Sequence, residues 1–159
     1  MTNRTTPDVL SLFVIVLITL SGCITETSGG LPPPRPDTDR VSAQLDLARG
    51  YLENKDFARA RGPLTTALEI DPNSAEAHVL FAVLYEQENE LEVAEYHYKR
   101  ALAVDSSNSQ ALNNYGGFLY RLGRYDDAVK VLRKLVQDTE YHARPQAFEN
   151  LGLAELQAG

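Results

Sequence analysis

Cysteine, tryptophan and long apolar runs are scarce in this sequence. Its 159 residues include one cysteine, Cys23, and no tryptophan. A disulfide framework within the chain is therefore excluded, and the fold must depend on packing. The main apolar run, residues 9–20, has 12 residues, whereas a membrane-spanning helix needs about 20. A permanent transmembrane anchor is thus the weaker interpretation of this run.

Positive charge is also in short supply. The chain carries 15 lysine and arginine residues against 22 aspartate and glutamate residues, for a net charge of -7 at pH 7. This acidity argues against nucleic acid as a partner and against adhesion to anionic lipid through charge. Any affinity for a membrane must come from another source.

Motifs for catalysis or metal binding are missing as well. The three histidines, His78, His97 and His142, lie in different predicted helices and a connection, without the spacing of a His-Glu-x-x-His site. We therefore interpret them as surface or boundary residues and predict no metal site. The sequence also lacks a Gly-x-Ser-x-Gly elbow and a phosphate loop. We expect no enzyme activity, no cofactor and no small-molecule substrate.

The amino terminus has the three parts of an export signal. A polar start with Arg4 precedes the apolar run, and the small residues Ser21 and Gly22 follow it. Leu20-Ser21-Gly22-Cys23 is a lipobox, which predicts that residues 1–22 are a lipoprotein signal peptide and that Cys23 is lipidated. The alternative is an ordinary cysteine beside a plain signal-peptidase site.

Residues 23–40 are predicted to be a disordered tether that starts at the lipidated cysteine. The segment after Cys23 holds four prolines and little apolar material, a composition typical of extended linkers. Resemblance to bacterial lipoproteins implies several acyl chains, and two or more give a stable anchor. Ile24, in place of an aspartate, favours the periplasmic face of the outer membrane.

From Val41 onward the sequence repeats with a period of 34 residues. Within each unit, large and small residues recur at spacings of three and four, which predicts two amphipathic helices per unit. The first helices share an aromatic or leucine followed by a small residue. The second helices share a large-small-large pattern, which ends in alanine in the first two units and in leucine in the third. The matching segments are Leu47-Ala48, Phe81-Ala82 and Tyr115-Gly116, then Phe57 to Ala67, Leu91 to Ala101 and Tyr125 to Leu135.

This pattern resembles the tetratricopeptide repeat and implies an all-α solenoid over residues 41–159. We predict three helix pairs, at about 41–74, 75–108 and 109–142, and the first helix of a fourth at 145–159. That last helix lacks a covering partner. Either it serves as a cap or the sequence is truncated, and we favour truncation.

In tetratricopeptide geometry the first helix of each unit lines a groove. The resemblance implies a partner-binding groove made of Leu45, Arg49, Leu52, Val79, Val83, Asn113 and Tyr120. Four of these residues, Leu45, Leu52, Val79 and Val83, form an apolar strip near the amino-terminal end that suits an amphipathic helix. Packing of some of them against the lead-in segment is the alternative.

Two blocks are more particular than the generic repeat, namely residues 113–120 (NNYGGFLY) and residues 148–153 (FENLGL). Together with the lipobox they resemble the PilF/PilW family, the pilotins of type IV pilus biogenesis. The resemblance implies an outer-membrane lipoprotein that binds the secretin subunit and promotes its outer-membrane localisation and multimerisation. The alternative is a periplasmic adaptor lipoprotein that recruits cell-wall hydrolases or other envelope-assembly partners.

Overall fold

A computed structural model describes residues 36–159. The predicted signal peptide, Cys23 and most of the predicted tether lie outside these residues. The described part consists of helices joined by short connections, without a strand. The helices are α1 (Asp37–Glu53), α2 (Phe57–Ile70), α3 (Ala75–Gln87), α4 (Leu91–Val104), α5 (Ser109–Arg121), α6 (Tyr125–Leu135) and α7 (Arg144–Ala158).

The helices pack as three consecutive pairs followed by a single helix. The pairs are α1 with α2, α3 with α4, and α5 with α6, while α7 packs on α6 and α5. The first helix of each pair also contacts the first helix of the next, so α1, α3, α5 and α7 form a continuous row. This arrangement confirms the predicted all-α solenoid.

Helix α1 begins at Asp37, earlier than the boundary at Val41 that the sequence suggested. Pro36 precedes the helix, and its carbonyl accepts a hydrogen bond from the Arg40 amide at 3.1 Å. Asp37 and Asp39 lie in the first turn, where carboxylates interact favourably with the positive end of the helix dipole. Residues 37–40 are therefore helical and do not belong to the tether.

The turn inside each pair needs one residue in the left-handed conformation. These residues are Lys55 (φ 59°), Asn89 (φ 61°) and Gly123 (φ 73°), which follow one another at intervals of 34 residues. In every turn the next residue donates its amide to a carbonyl five residues back, as Asp56 does to Tyr51 at 2.8 Å. The backbone thus repeats even where the side chains differ.

Small residues mark the places where paired helices approach closely. Ala48, Ala60 and Ala67 of the first pair, which are small residues of the repeat pattern, are fully buried, as the resemblance to the tetratricopeptide repeat implies. At Gly116 of α5 the helices lie so close that a side chain would clash, because a Cβ atom at that position would lie 2.6 Å from the Leu132 side chain of α6. The contact between α5 and α6 therefore requires glycine.

Neighbouring helix pairs are joined by hydrogen bonds between charged side chains. At one junction the earlier pair provides the arginine, and at the next it provides the carboxylate. Arg61 of α2 donates to Glu88 and to the Tyr85 hydroxyl, the latter at 2.9 Å. At the next junction the carboxylate is on the earlier helix, and Glu95 of α4 accepts from Arg124 at 2.9 Å. Burial acts to raise the pKa of Glu95, but hydrogen bonds from Lys99, Arg124 and Tyr115 lower it to about 2.

Candidate binding groove

An open cavity of about 760 Å³ lies along the row of first helices. It extends across α3, α5 and α7, and its floor includes side chains from α4 and α6. We call it the central groove. Its lining residues are Val83, Glu86, Gln87, Tyr98, Asn113, Asn114, Gly117, Tyr120, Arg121, Leu132, Gln146, Asn150 and Leu153.

One row of lining residues has a gap in its middle. Val83 on α3, Gly117 on α5 and Leu153 on α7 occupy equivalent repeat positions and all line the central groove. A Cβ atom at Gly117 would meet only the Arg121 Nη1 atom, at 3.3 Å, apart from the backbone of α5 itself. We call the space over this glycine, between Val83 and Leu153, the Gly117 notch.

Three asparagines form one wall of the central groove. The Asn150 Nδ2 atom donates to Asn113 Oδ1 at 3.4 Å, and Asn113 Nδ2 donates to Asn114 Oδ1 at 3.5 Å. Each carboxamide has two donor hydrogens and an oxygen with two lone pairs. These long bonds use a small part of that capacity, so the wall offers both donors and acceptors to a bound molecule.

The charges of the central groove belong to one ion pair. Arg121 of α5 reaches across to Glu86 of α3, whose other carboxylate oxygen accepts a hydrogen bond from the Tyr98 hydroxyl at 3.1 Å. Burial, followed by the nearby Glu86 carboxylate, raises the pKa of Tyr98, so its phenol stays protonated as a donor. Glu86 and Arg121 are the charged residues of the lining, and they neutralise each other.

A second, smaller cavity of about 480 Å³ lies at the amino-terminal end of the row. Val41, Leu45 and Ile70 give it an apolar part, and Asp37, Asp71 and Glu76 give it an acidic rim. Glu76 also forms an ion pair with Arg49, which bonds to Asp46 at 2.8 Å on its other side. We call it the amino-terminal cavity.

The structure separates the residues that the sequence placed in one groove. Val83, Asn113 and Tyr120 line the central groove. Leu45 borders the amino-terminal cavity with 4% of its surface exposed. Leu52 is half-buried against the core of the first pair, and Arg49 is held in its ion pairs.

Val79 is not a groove residue, which corrects the prediction. Its side chain is fully buried and packs with Ala101 of α4 and Ala111 of α5. The reason is its position where α3, α4 and α5 meet, inside the solenoid rather than on its face. With Val79 and Leu45 in the interior, the continuous apolar strip expected near the amino-terminal end does not form.

Several lining residues were missed because the prediction stopped at the third unit and at first helices. Asn150 and Leu153 lie 36 residues after Asn114 and Gly117, so extending the repeat past its two-residue insertion identifies them. Tyr98 and Leu132 come from second helices. No local signal shows that those side chains reach the groove floor.

Two histidines that look unrelated in the sequence meet between α3 and α4. The Nδ1 atoms of His78 and His97 are 3.0 Å apart, and His78 Nε2 lies 3.3 Å from the Pro72 carbonyl oxygen. His78 is 5% exposed, so it is a core residue and not a surface one. Since Nε2 donates to the carbonyl, Nδ1 of neutral His78 accepts the proton that His97 Nδ1 donates.

Burial governs the titration of this histidine pair. Burial, and then the charge of Arg100, lower the pKa of His78. Burial, and then the neighbouring His78, lower the pKa of His97 to about 4. Within residues 36–159 no cluster of three or more metal-ligating side chains is present. His78 is a core residue, and His97 is half-buried beside it.

Neither Cys23 nor the rest of the predicted export signal falls within the described residues. In the part of the chain from residue 36 to residue 159, none of the helices combines the length and the apolar character needed to cross a membrane.

Comparison with known proteins extends the repeat assignment. The tetratricopeptide repeat family model matches residues 45–109 and 89–143. The type IV pilus assembly protein PilF of Pseudomonas aeruginosa is 44% identical over 150 residues, which cover 92% of this chain and 59% of PilF.

Solved structures agree with this similarity. A structure of Pseudomonas aeruginosa PilF superposes with a TM-score of 0.76 and 45% identity, covering 78% of this chain and 56% of the other. PilW, described as a widely conserved type IV pilus biogenesis factor, superposes with a TM-score of 0.70 and 26% identity, covering 75% of this chain and 55% of PilW. The chain therefore spans a little over half the length of these relatives.

Proposed function

Because the chain belongs to the tetratricopeptide-repeat family and is of the PilF/PilW type, we propose that it acts in type IV pilus assembly. In this proposal it is a pilotin, an outer-membrane lipoprotein that binds the secretin subunit. Binding promotes the localisation of the subunit to the outer membrane and its multimerisation. The protein acts as an adaptor and not as an enzyme.

The observation that carries this proposal is the central groove. It is shared by three successive first helices and is lined by carboxamides, apolar side chains and one ion pair. Stacked helix pairs use such concave faces to bind proteins. An open trough of this kind suits a polypeptide segment, whereas small molecules are bound in clefts that bury most of their surface.

The lipid on Cys23 has a physical purpose in this function. Two or more acyl chains hold a protein stably on a bilayer. Anchoring confines the groove to the membrane where secretin subunits assemble, which raises the effective concentration of a weak contact. The same groove on a released protein would meet its partner far less often.

The test is a Cys23→Ser variant of the full chain in its native host. We expect loss of acyl labelling, loss of the protein from the outer-membrane fraction, and secretin that stays monomeric on denaturing gels. Secretin multimers at the wild-type level in the outer membrane would contradict the proposal.

A binding measurement separates recognition from localisation. The purified Cys23→Ser protein should still bind the purified secretin subunit of the same organism, because the groove does not depend on the lipid. If the purified pair does not associate, the secretin is not the partner, whatever the result in cells.

A further inference from the structure

We propose that the central groove binds an extended, uncharged segment of the partner and seats one aliphatic side chain of that segment in the Gly117 notch. This inference rests on the proposed function and specifies the chemistry of the partner at the same site. It replaces the amphipathic helix that the sequence suggested.

The first step concerns the shape of the groove. Helix α5 lies between α3 and α7 and contacts both. Val83 and Leu153 therefore present side chains on either side of a position that has none. Leu153 is 51% exposed, so its apolar surface is available to a bound molecule. An aliphatic side chain placed over Gly117 would lie between these two neighbours, beside the Arg121 guanidinium, and would remove apolar surface from water.

The second step concerns hydrogen bonding. Asn113, Asn114 and Asn150 keep unused donors and acceptors on the wall beside the notch. An extended backbone presents free N–H and C=O groups to such carboxamides. In an α-helix those groups are already bonded within the helix. The asparagine wall therefore favours an extended segment over a helical one.

The third step concerns charge. Glu86 and Arg121 satisfy each other across the floor, and Tyr98 donates to the same carboxylate. A charged group brought into the groove would lose hydration without gaining an unpaired opposite charge. The segment that fits here is uncharged, and its binding depends little on salt.

The experiment measures binding of the purified secretin subunit to Gly117→Leu, Gly117→Ala and Asn150→Ala variants of the full chain. Leucine completes the row and fills the notch, so we expect affinity to fall by about tenfold or more, while alanine changes it by less than about threefold. Loss of the Asn150 carboxamide should weaken binding several-fold. Raising salt from about 0.05 M to about 0.5 M, which shortens the Debye length several-fold, should have little effect.

The matched control is Gly152→Leu, the same substitution at an exposed glycine of α7 that does not line the central groove. It should bind as the wild type does. Circular dichroism must show the same helix content for all variants and the wild type, and every variant must melt at or above the wild-type temperature, which separates a filled notch from a damaged fold. A higher melting temperature of the glycine replacements is compatible with this control, because a side chain favours the helix.

The possible failures are distinct. If the wild-type protein does not bind the secretin subunit, the proposed function is wrong. If the wild type binds and folded Gly117→Leu binds equally well, the notch is not the site. If Asn150→Ala has no effect or salt abolishes binding, the segment is not an extended, uncharged one.

Discussion

Gly116 in α5 and Gly152 in α7 occupy the same position of the repeat but lie in opposite surroundings. Against Gly116 the fully buried Leu132 of α6 packs so closely that a Cβ atom would lie 2.6 Å from it. Around Gly152 no atom outside its chain neighbours and the backbone of α7 lies within 4 Å of such a Cβ, and nearby Phe148 is 51% exposed. One first helix is covered by its partner helix, and the other has an open face.

This difference shows what a glycine in the repeat does. The local sequences, Tyr115-Gly116 and Leu151-Gly152, are nearly the same. The requirement for glycine arises only when a second helix packs against it. No second helix of residues 36–159 packs against Gly152, so among these residues its lack of a side chain serves no close contact.

The largest expected effect on stability is that of a methyl group added at Gly116, compared with one added at Gly152. Gly116→Ala should lower the free energy of unfolding by about 1–3 kcal/mol, because the buried Leu132 has to move. Gly152→Ala should raise it by about 0.5–1 kcal/mol, because alanine favours an exposed helix. Urea denaturation of the two variants measures both changes.

A double variant isolates the contact responsible. On a Leu132→Ala background, Gly116→Ala should lose its cost, since the clashing atoms are gone. Destabilisation of similar size by both single alanine variants would show that the two faces do not differ as described.

The histidine pair offers a second comparison between repeats, with an effect of intermediate size. The positions of His78 and His97 are occupied by Leu112 and Val131 in the next unit. Because the pKa of His97 falls to about 4 from an ordinary 6.5, the unfolded chain binds more protons between these values. The contribution of neutral His97 to the free energy of unfolding is therefore fully present above pH 6.5, and it is lost as the pH falls toward 4.

Thermal melts between neutral and mildly acidic pH measure this decline. We expect a loss of about 1–2 kcal/mol, a figure reduced for solvent screening of a part-exposed ring. The double variant His78→Leu, His97→Val gives the second repeat the residues of the third and should flatten this part of the pH dependence. An unchanged pH profile in that variant would assign the loss to other groups.

The smallest effects are expected in the turns within pairs. Gly123→Ala should destabilise the fold by about 1 kcal/mol, because a side chain disfavours the left-handed conformation. Lys55→Gly, at the equivalent turn of the first pair, should stabilise it by up to about 0.5–1 kcal/mol for the same reason. Equal and negligible changes at both positions would mean that the turns adapt to the residue.

Prediction from sequence succeeded where the signal is local. The 34-residue period, the helix pairs and the buried alanines were visible because helical spacing repeats along the chain. Prediction failed at Val79, because its burial depends on Ala101 and Ala111 from two later helices. It also missed the contact of His78 with His97, for which no spacing rule exists.

The predicted groove shows the same division. Val83, Asn113 and Tyr120 were identified by position in the repeat, and the structure places all three in the central groove. Tyr98 and Leu132 entered its floor from second helices, which no pattern of first helices indicates. The notch itself follows from comparing Val83, Gly117 and Leu153 on three adjacent helices.

The sequence by itself determined the class of fold and the number of helix pairs, because both depend on residues within about one unit of one another. The tertiary structure decided which face of each helix remains accessible, which charges pair across junctions and why a side chain would clash at Gly116 but not, within residues 36–159, at Gly152. These properties depend on atoms brought together from helices distant in sequence, and packing at close range sets their energies.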